Sequence, residues 1–264
     1  MSSNPFAFAP VAPSAAAATL PSPRHRAVPA PETLHPALWL GHQFGRGSEQ
    51  AVPSGFAALD AQLPGRGWPR RALTELLLPQ SGVGEIRLLS ACLAAQQQAG
   101  RLVMVFDPPA MLSAWALTQL GLDVEQLLLI NTRTRMLPGP DSLWALEQAL
   151  RSGHVGAVVA WLPPRLRAER LRRLQLAAHA HDGPAFVMRE LAARQRPTAA
   201  PLRIALRAGG ADRLALHILK RRGPPREEPL LLDLPPVLCE AARARAQKAA
   251  HDALHPATFI DLAS

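Results

Sequence analysis

The chain has 264 residues, 29 Lys and Arg against 20 Asp and Glu, and a formal net charge of +9. The length suffices for one α/β domain of about 200 residues plus tails. An apolar fraction of 48%, dominated by Ala and Leu with no Tyr, supports a compact core of helices and sheet, and no run approaches the length of apolar sequence a membrane-spanning helix needs.

The positive excess points to an anionic partner or an acidic protein surface, although an Arg-rich composition is also the default of a GC-rich genome. Cys92 and Cys239 lie far apart with no CxxC pairing. Cys92 reads as a small buried apolar residue of a helix, which fits a reducing cytoplasm.

Residues 1–33 read as a disordered leader, an Ala/Ser-rich stretch punctuated by Pro5, Pro10, Pro13, Pro21, Pro23, Pro29 and Pro31. Such a composition cannot offset the entropy of ordering a packed element. The run Val11 to Leu20 is short, is broken by Pro13 and has no basic stretch before it, so export is not expected.

The first strong signal is an apolar strand, Leu73 to Leu78, running into the turn Pro79, Gln80, Ser81, Gly82, Val83, Gly84 and then a helix from Glu85 to Gln98 that ends at Gly100. Strand, glycine turn, helix is the context of a phosphate-binding loop. Such a loop needs a Lys for the β/γ-phosphates and a Ser or Thr hydroxyl for Mg²⁺. Here those places hold Gly84 and Glu85, or Glu85 and Ile86 if a gap is allowed, and Glu85 would set a carboxylate against an anion. Taken alone, such a turn is an ordinary βα connection.

Further along come a strand, Leu102 to Asp107, a helix from about Ala110, a helix from Asp141 to Arg151 and an apolar strand ending at Trp161. The chain then turns basic. Arg165, Arg167, Arg170, Arg172 and Arg173 crowd a helix whose Leu171, Leu174 and Ala178 form a core stripe at helical spacing. This is either a solvated face with snorkelling Arg stems or a surface for phosphates or an acidic partner.

Pro184 to Arg189 reads as a buried strand, and the segment 191–201 carries Arg194 and Arg196. Leu202 to Arg207 alternates at period two, turns at Gly209 and Gly210 and returns through Leu214 to Lys220, a hairpin signature. Lys220, Arg221 and Arg222 form a dense basic cluster expected at an exposed strand end. From Val237 to Leu254 an Ala/Arg-rich run reads as a helix stopped by His255 and Pro256. His179 and His181 have no carboxylate or Cys partners at ligand spacing, so no metal site is expected. No Gly-x-Ser-x-Gly elbow nominates a nucleophile.

The order of these segments carries a resemblance. Val52 to Asp60, followed by Leu63 to Arg71, resembles the stretch that precedes the Walker strand in RecA-family recombinases. Leu120 to Leu129 resembles the recombinase phrase after the second strand, and Val155 to Trp161 stands in the place of the Walker B strand. With Leu34 to Trp39, Leu219 to Pro225 and Leu230 to Pro235 added, residues 34–240 are similar to ImuA, the RecA/SulA-like family of bacterial mutagenic translesion-synthesis cassettes.

The resemblance implies a RecA-like α/β fold, a mainly parallel sheet flanked by helices with an antiparallel C-terminal hairpin, followed by a partly helical tail over 241–264. The Walker B carboxylate falls on Trp161 and the catalytic Glu on Pro109. A missing general base typically costs ~10²–10⁴ in rate, so base, metal ligand and phosphate Lys missing together imply no catalysis and no nucleotide cofactor.

The implied role is a cytoplasmic, non-catalytic member of an SOS-induced complex. Its implied partners are the Y-family polymerase homologue ImuB, a damage-inducible C-family DNA polymerase reached directly or through it, and RecA itself. A SulA-type inhibitor of cell division and a RecA-like ATP-dependent DNA-binding protein are the alternatives. The segment 191–201 lies where RecA carries its second DNA-binding loop, but it has no aromatic to supply the ~1–3 kcal/mol per base of stacking, so DNA contact is expected to be weak. Gln126 to Ile130 resembles the pentapeptide that docks polymerases on the sliding clamp, and is read instead as the start of a core strand.

Overall fold

The computed structural model describes residues 51–132, 139–210, 212–223, 228–238, 241–242, 244–245 and 248. The leader over 1–33, Cys239 and most of the C-terminal tail therefore lie outside the described residues. The described residues belong to a unit spanning Gly41–Ser264.

Eight strands form one sheet: β1 (Leu73–Leu78), β2 (Leu102–Phe106), β3 (Leu127–Ile130), β4 (Val155–Trp161), β5 (Ala185–Glu190), β6 (Leu202–Gly210), β7 (Arg213–Lys220) and β8 (Leu230–Asp233). Their spatial order is β3-β2-β4-β5-β1-β6-β7-β8. The first six are parallel to their neighbours, and β6, β7 and β8 run antiparallel. The α-helices named among the described residues are α1 (Ala57–Asp60), α2 (Glu85–Gln98), α3 (Ala114–Gln119), α4 (Gly139–Arg151) and α5 (Ala168–Ala178).

Parallel strands covered on both faces need near-continuous apolar sequence, and β1 and β4 are buried along their whole lengths. Alternate residues of β4 feed opposite cores. Ala157, Val159 and Trp161 join Leu88, Leu89 and Cys92 of α2 and Leu117 of α3, while Val158 and Ala160 join Leu146 and Leu150 of α4 and Leu171 and Leu174 of α5. Trp68 and Phe186 meet edge to face at 5.1 Å beneath the start of the sheet, a favoured aromatic geometry.

Several expectations need correcting. The second strand stops at Phe106, because Asp107 turns into the left-handed region at φ 48°. The next helix begins at Ala114 rather than near Ala110: Pro108 and Pro109 resist helix entry, and the Ser113 side chain caps the start by accepting the Ala116 N–H at 3.3 Å. Arg165 and Arg167 precede α5, with Arg167 at its N-cap and Arg165 at φ 60°.

The C-terminal hairpin gains a third strand. β8 pairs with Arg213–Leu216, so the first half of β7 is not a free edge. Val237 and Leu238 are not helical; helical residues are described only between 241 and 248. Gln126 to Ile130 is not central either. Its last four residues form the outermost strand β3, with Leu128 and Leu129 nearly half exposed. No helix among the described residues is long and apolar enough to cross a membrane.

Candidate functional site

In open α/β sheets ligands bind outside the carboxyl ends of the strands, where successive crossovers diverge. In this chain the connection from β1 crosses to β2, while β5 lies between β1 and β4. The turn after β1 opens onto that crevice. Gly82 at φ 88° and Gly84 at φ 116° give it a backbone that L side chains rarely adopt, and Gly84 is the N-cap of α2.

The nearest carboxylate occupies this turn. Glu85, almost fully buried, accepts the Gly82 N–H on Oε1 at 2.8 Å and the Gly84 N–H on Oε2 at 3.1 Å. Backbone N–H groups at a helix start favour negative charge, and the charge they receive here comes from the helix's own first residue.

The turn is also held from the C-terminal side. Arg87 donates from Nε to the Pro235 carbonyl at 2.9 Å, and from Nη2 to Asp212 Oδ1 at 2.7 Å and the Leu234 carbonyl at 3.2 Å. These bonds draw the chain after β8 across the first turn of α2. A Cβ on Gly84 would stand 2.6 Å from Leu234 Cδ1, so a side chain there would have to push the end of Leu234 aside, and φ 116° strains any L residue at this position.

Beside the turn lies a cleft of about 470 Å³, walled mainly by Ile86, Pro109, Met111, Leu117, Trp161 and Val237. Pro109 and Trp161, on which the resemblance places the two carboxylates of an active enzyme, both line the cleft. Trp161 Nε1 is buried with no hydrogen-bond partner among the described residues. Asp107 is spent locally: its carboxylate accepts the Thr132 N–H at 2.7 Å and the Thr132 hydroxyl at 2.7 and 2.9 Å. Among the described residues no group of three or more His, Cys, Asp or Glu is placed to hold a metal ion.

The structure gathers some of the basic candidates. Glu190 Oε1 accepts the Arg165 N–H at 3.3 Å and an Arg196 guanidinium N–H at 3.1 Å, which brings the segment before α5 beside the segment after β5. On the other flank Lys220 Nζ donates to the Thr198 carbonyl at 3.2 Å. Arg167, Arg194 and Arg222 are exposed. Arg221 does not belong with them, because its guanidinium donates to the Gln62 carbonyl and braces the segment after α1. Of the arginines on α5 itself, Arg173 pairs with the buried Glu147 at 2.9 Å.

A buried charge network was missed. Glu75, in the middle of β1, receives Arg189 at 2.8 Å and Arg203 at 2.6 Å, and all three are buried. Burial alone pushes the Glu75 carboxyl up, but hydrogen bonds from Arg203 and Thr198 and the charges of Arg203 and Arg189 outweigh it and hold it below the usual carboxylate value. Arg203 also donates to the carbonyls of Arg194 and Arg196, at 3.2 and 3.0 Å, tying the basic segment to the strand that feeds the glycine turn. A Glu inside an otherwise apolar run was the available signal. Elsewhere burial, aided by the charge of Asp60, pushes the Cys92 thiol up to about 12, so this cysteine is inert.

Residues 74–185 match the family model described as cell division inhibitor SulA. The chain is also similar to proteins named RecA. It is 35% identical over 128 residues to Protein RecA of Bacillus licheniformis, covering 44% of this chain and 35% of that protein. With Protein RecA of Bacillus subtilis (strain 168) it shares 34% over 128 residues, 44% and 35% of the two chains, and with that of Symbiobacterium thermophilum 32% over 120 residues, 46% and 33%. The chain therefore spans about a third of the length of these curated relatives. Over these stretches the chain is similar to SulA and RecA, and its sheet has a RecA-like α/β core.

Proposed function

We propose that this chain is a non-catalytic RecA-like accessory protein, related to the DNA-damage response, that acts through protein–protein contacts in an SOS-induced translesion-synthesis complex. The observation that carries the reading is the Glu85 carboxylate on the N–H groups of Gly82 and Gly84. A phosphate entering the turn would have to displace a buried, covalently attached anion, with no Lys to attract it. Pro109 and Trp161 supply neither a base nor a metal ligand, and the apolar cleft suits side chains better than a triphosphate. The similarity to SulA and RecA supports the damage-response setting, and the resemblance to ImuA names the partners: an ImuB-like Y-family homologue, through it a C-family polymerase, and RecA.

Calorimetric titration with Mg·ATP tests the first half. No heat of binding and no turnover above background are expected, and a micromolar constant would overturn the reading. Co-purification with an ImuB-like protein tests the second half and should succeed without nucleotide. The match to the model described as cell division inhibitor SulA favours a second reading, inhibition of division. Overexpression that makes cells filament, with no capture of an ImuB-like protein, would select it.

A further inference from the structure

Beyond the proposed function, the buried charge network is not balanced: one carboxylate, Glu75, faces the guanidiniums of Arg189 and Arg203, and all three are buried. Every nitrogen of Arg203 is engaged. It gives Nε and Nη2 to Glu75, at 2.6 and 3.2 Å, and Nη1 to the carbonyls of Arg194 and Arg196. Arg189 differs. Its Nη1 reaches Glu75 at 2.8 Å, but Nε and Nη2, which lie side by side along one edge of the guanidinium, have no hydrogen-bond partner among the described residues. The uncompensated positive charge and two orphaned donors therefore fall on one side chain, in a residue only 4% exposed. Such an arrangement is costly unless an acceptor of opposite charge completes it.

Arg189 lines a second cleft, of about 200 Å³, at the carboxyl ends of β1, β4 and β5, where Leu78 stands in register with Glu190 and Trp161 with Met188. Trp161, whose buried Nε1 is also an orphaned donor, lines it too. We propose that this cleft binds a carboxylate group carried on a small apolar body, with the Nε–Nη2 edge of Arg189 taking its two oxygens and Trp161 Nε1 available to the same ligand. Two parallel N–H groups on one guanidinium edge match the two oxygens of a carboxylate. Leu78 and Met188 supply apolar wall for the body of the ligand. A phosphate fits less well, because its remaining oxygens and second charge would meet that wall and the Glu190 carboxylate that shares it.

The test is titration of the ¹⁵N-labelled full chain with hexanoate, hexanamide and inorganic phosphate. Hexanoate is expected to bind saturably, to move the Arg189 Nε–H resonance and to raise the melting temperature, with hexanamide and phosphate weaker by about tenfold or more. Arg189→Lys keeps a charge opposite Glu75 but loses the paired edge, and should weaken hexanoate by about tenfold or more. Trp161→Phe removes one donor and should weaken it to a smaller extent. If either variant fails to fold, the Arg189 Nε–H shift in the unmodified chain still decides. A peptide ending in Leu that binds more tightly than hexanoate, and loses this on amidation of its carboxylate, would make a partner's chain end the source; equal affinities would make it a free small acid. Three results would overturn the inference: hexanamide or phosphate binding as well as hexanoate, hexanoate binding that leaves the Arg189 Nε–H unmoved, or no binding by either carboxylate. No step involves nucleotide or an ImuB-like protein, so failure here is read separately from failure of the proposed function.

Discussion

Leu234 Cδ1 stands 2.6 Å from the point where a Cβ on Gly84 would sit, so the side chain that follows the last strand packs directly over the glycine that begins α2. Gly84→Ala is therefore expected to lower stability by about 1–3 kcal/mol, combining a left-handed φ with a clash. Gly82→Ala is the control. Its φ of 88° brings the same kind of backbone strain, about 1–3 kcal/mol, but nothing lies within 4 Å of the added carbon, so its loss should be the smaller of the two. Urea midpoints that do not separate the two variants would show that Leu234 gives way. The pair Gly84→Lys with Glu85→Thr should restore the motif letters, destabilise the protein and yield no ATP hydrolysis.

Breaking the buried network should be costly. Glu75→Gln leaves Arg189 and Arg203 without their shared counter-charge, and removing one partner of a buried pair typically costs about 3–5 kcal/mol. Because Arg203 also holds the carbonyls of Arg194 and Arg196, loosening should show locally first. Limited trypsin digestion is expected to cut after Arg194 several-fold faster in Arg203→Met than in the unmodified chain; the bond after Arg196 precedes Pro197 and stays intact in both. Unchanged cleavage there would mean that the segment is held by other contacts.

His181 gives a pH dependence with a definite sign. Burial holds it neutral and, with the charge of Arg101 adding to it, pulls its pKa down to about 4. The unfolded chain takes up this proton near pH 6.5 and the folded chain only near 4, so the stabilisation is complete above about 6.5 and is lost as pH falls through that window, roughly 3 kcal/mol at most. The stability difference between the native chain and His181→Leu should therefore shrink between pH 7.5 and 4.5. A difference constant across this range would show that His181 titrates normally.

The basic positions divide by what they touch. Arg221→Ala should destabilise the fold through the lost Gln62 contact and is a poor probe of binding. Arg165, Arg194 and Lys220 changed together to Ala should leave the melting temperature nearly unchanged and abolish capture of an ImuB-like partner. Single-strand DNA binding, weak to begin with for want of stacking residues, should lose about 0.7 in log–log salt slope for each phosphate contact removed. Anisotropy with a labelled oligonucleotide, run beside the pull-down, separates the two. Tight binding by the unmodified chain that collapses in the variant, with the protein complex intact, would make the surface a nucleic-acid site.

Much of this was written locally in the chain. The apolar run Leu73 to Leu78, the glycines of the turn and the helix from Glu85 to Gln98 follow from periodicity and backbone freedom, which neighbours within a few residues determine. The absence of a Lys and a hydroxyl residue after Gly82 can be read directly. Even the seat of Glu85 spans only one and three positions.

Tertiary structure alone decided the rest. Glu75 meets Arg189 and Arg203 across 114 and 128 positions, and the period-two pattern Leu202 to Arg207 gives no sign that Arg203 turns inward to a carboxylate rather than outward to water. Lys220, Arg221 and Arg222 look alike in sequence, yet Arg221 reaches Gln62, 159 positions away. Leu128 and Leu129 read as core and lie half exposed, because periodicity records that a strand has an apolar face but not whether another strand flanks it. Such pairings form only when the sheet closes, and their energies depend on desolvation and distance, which no local pattern encodes.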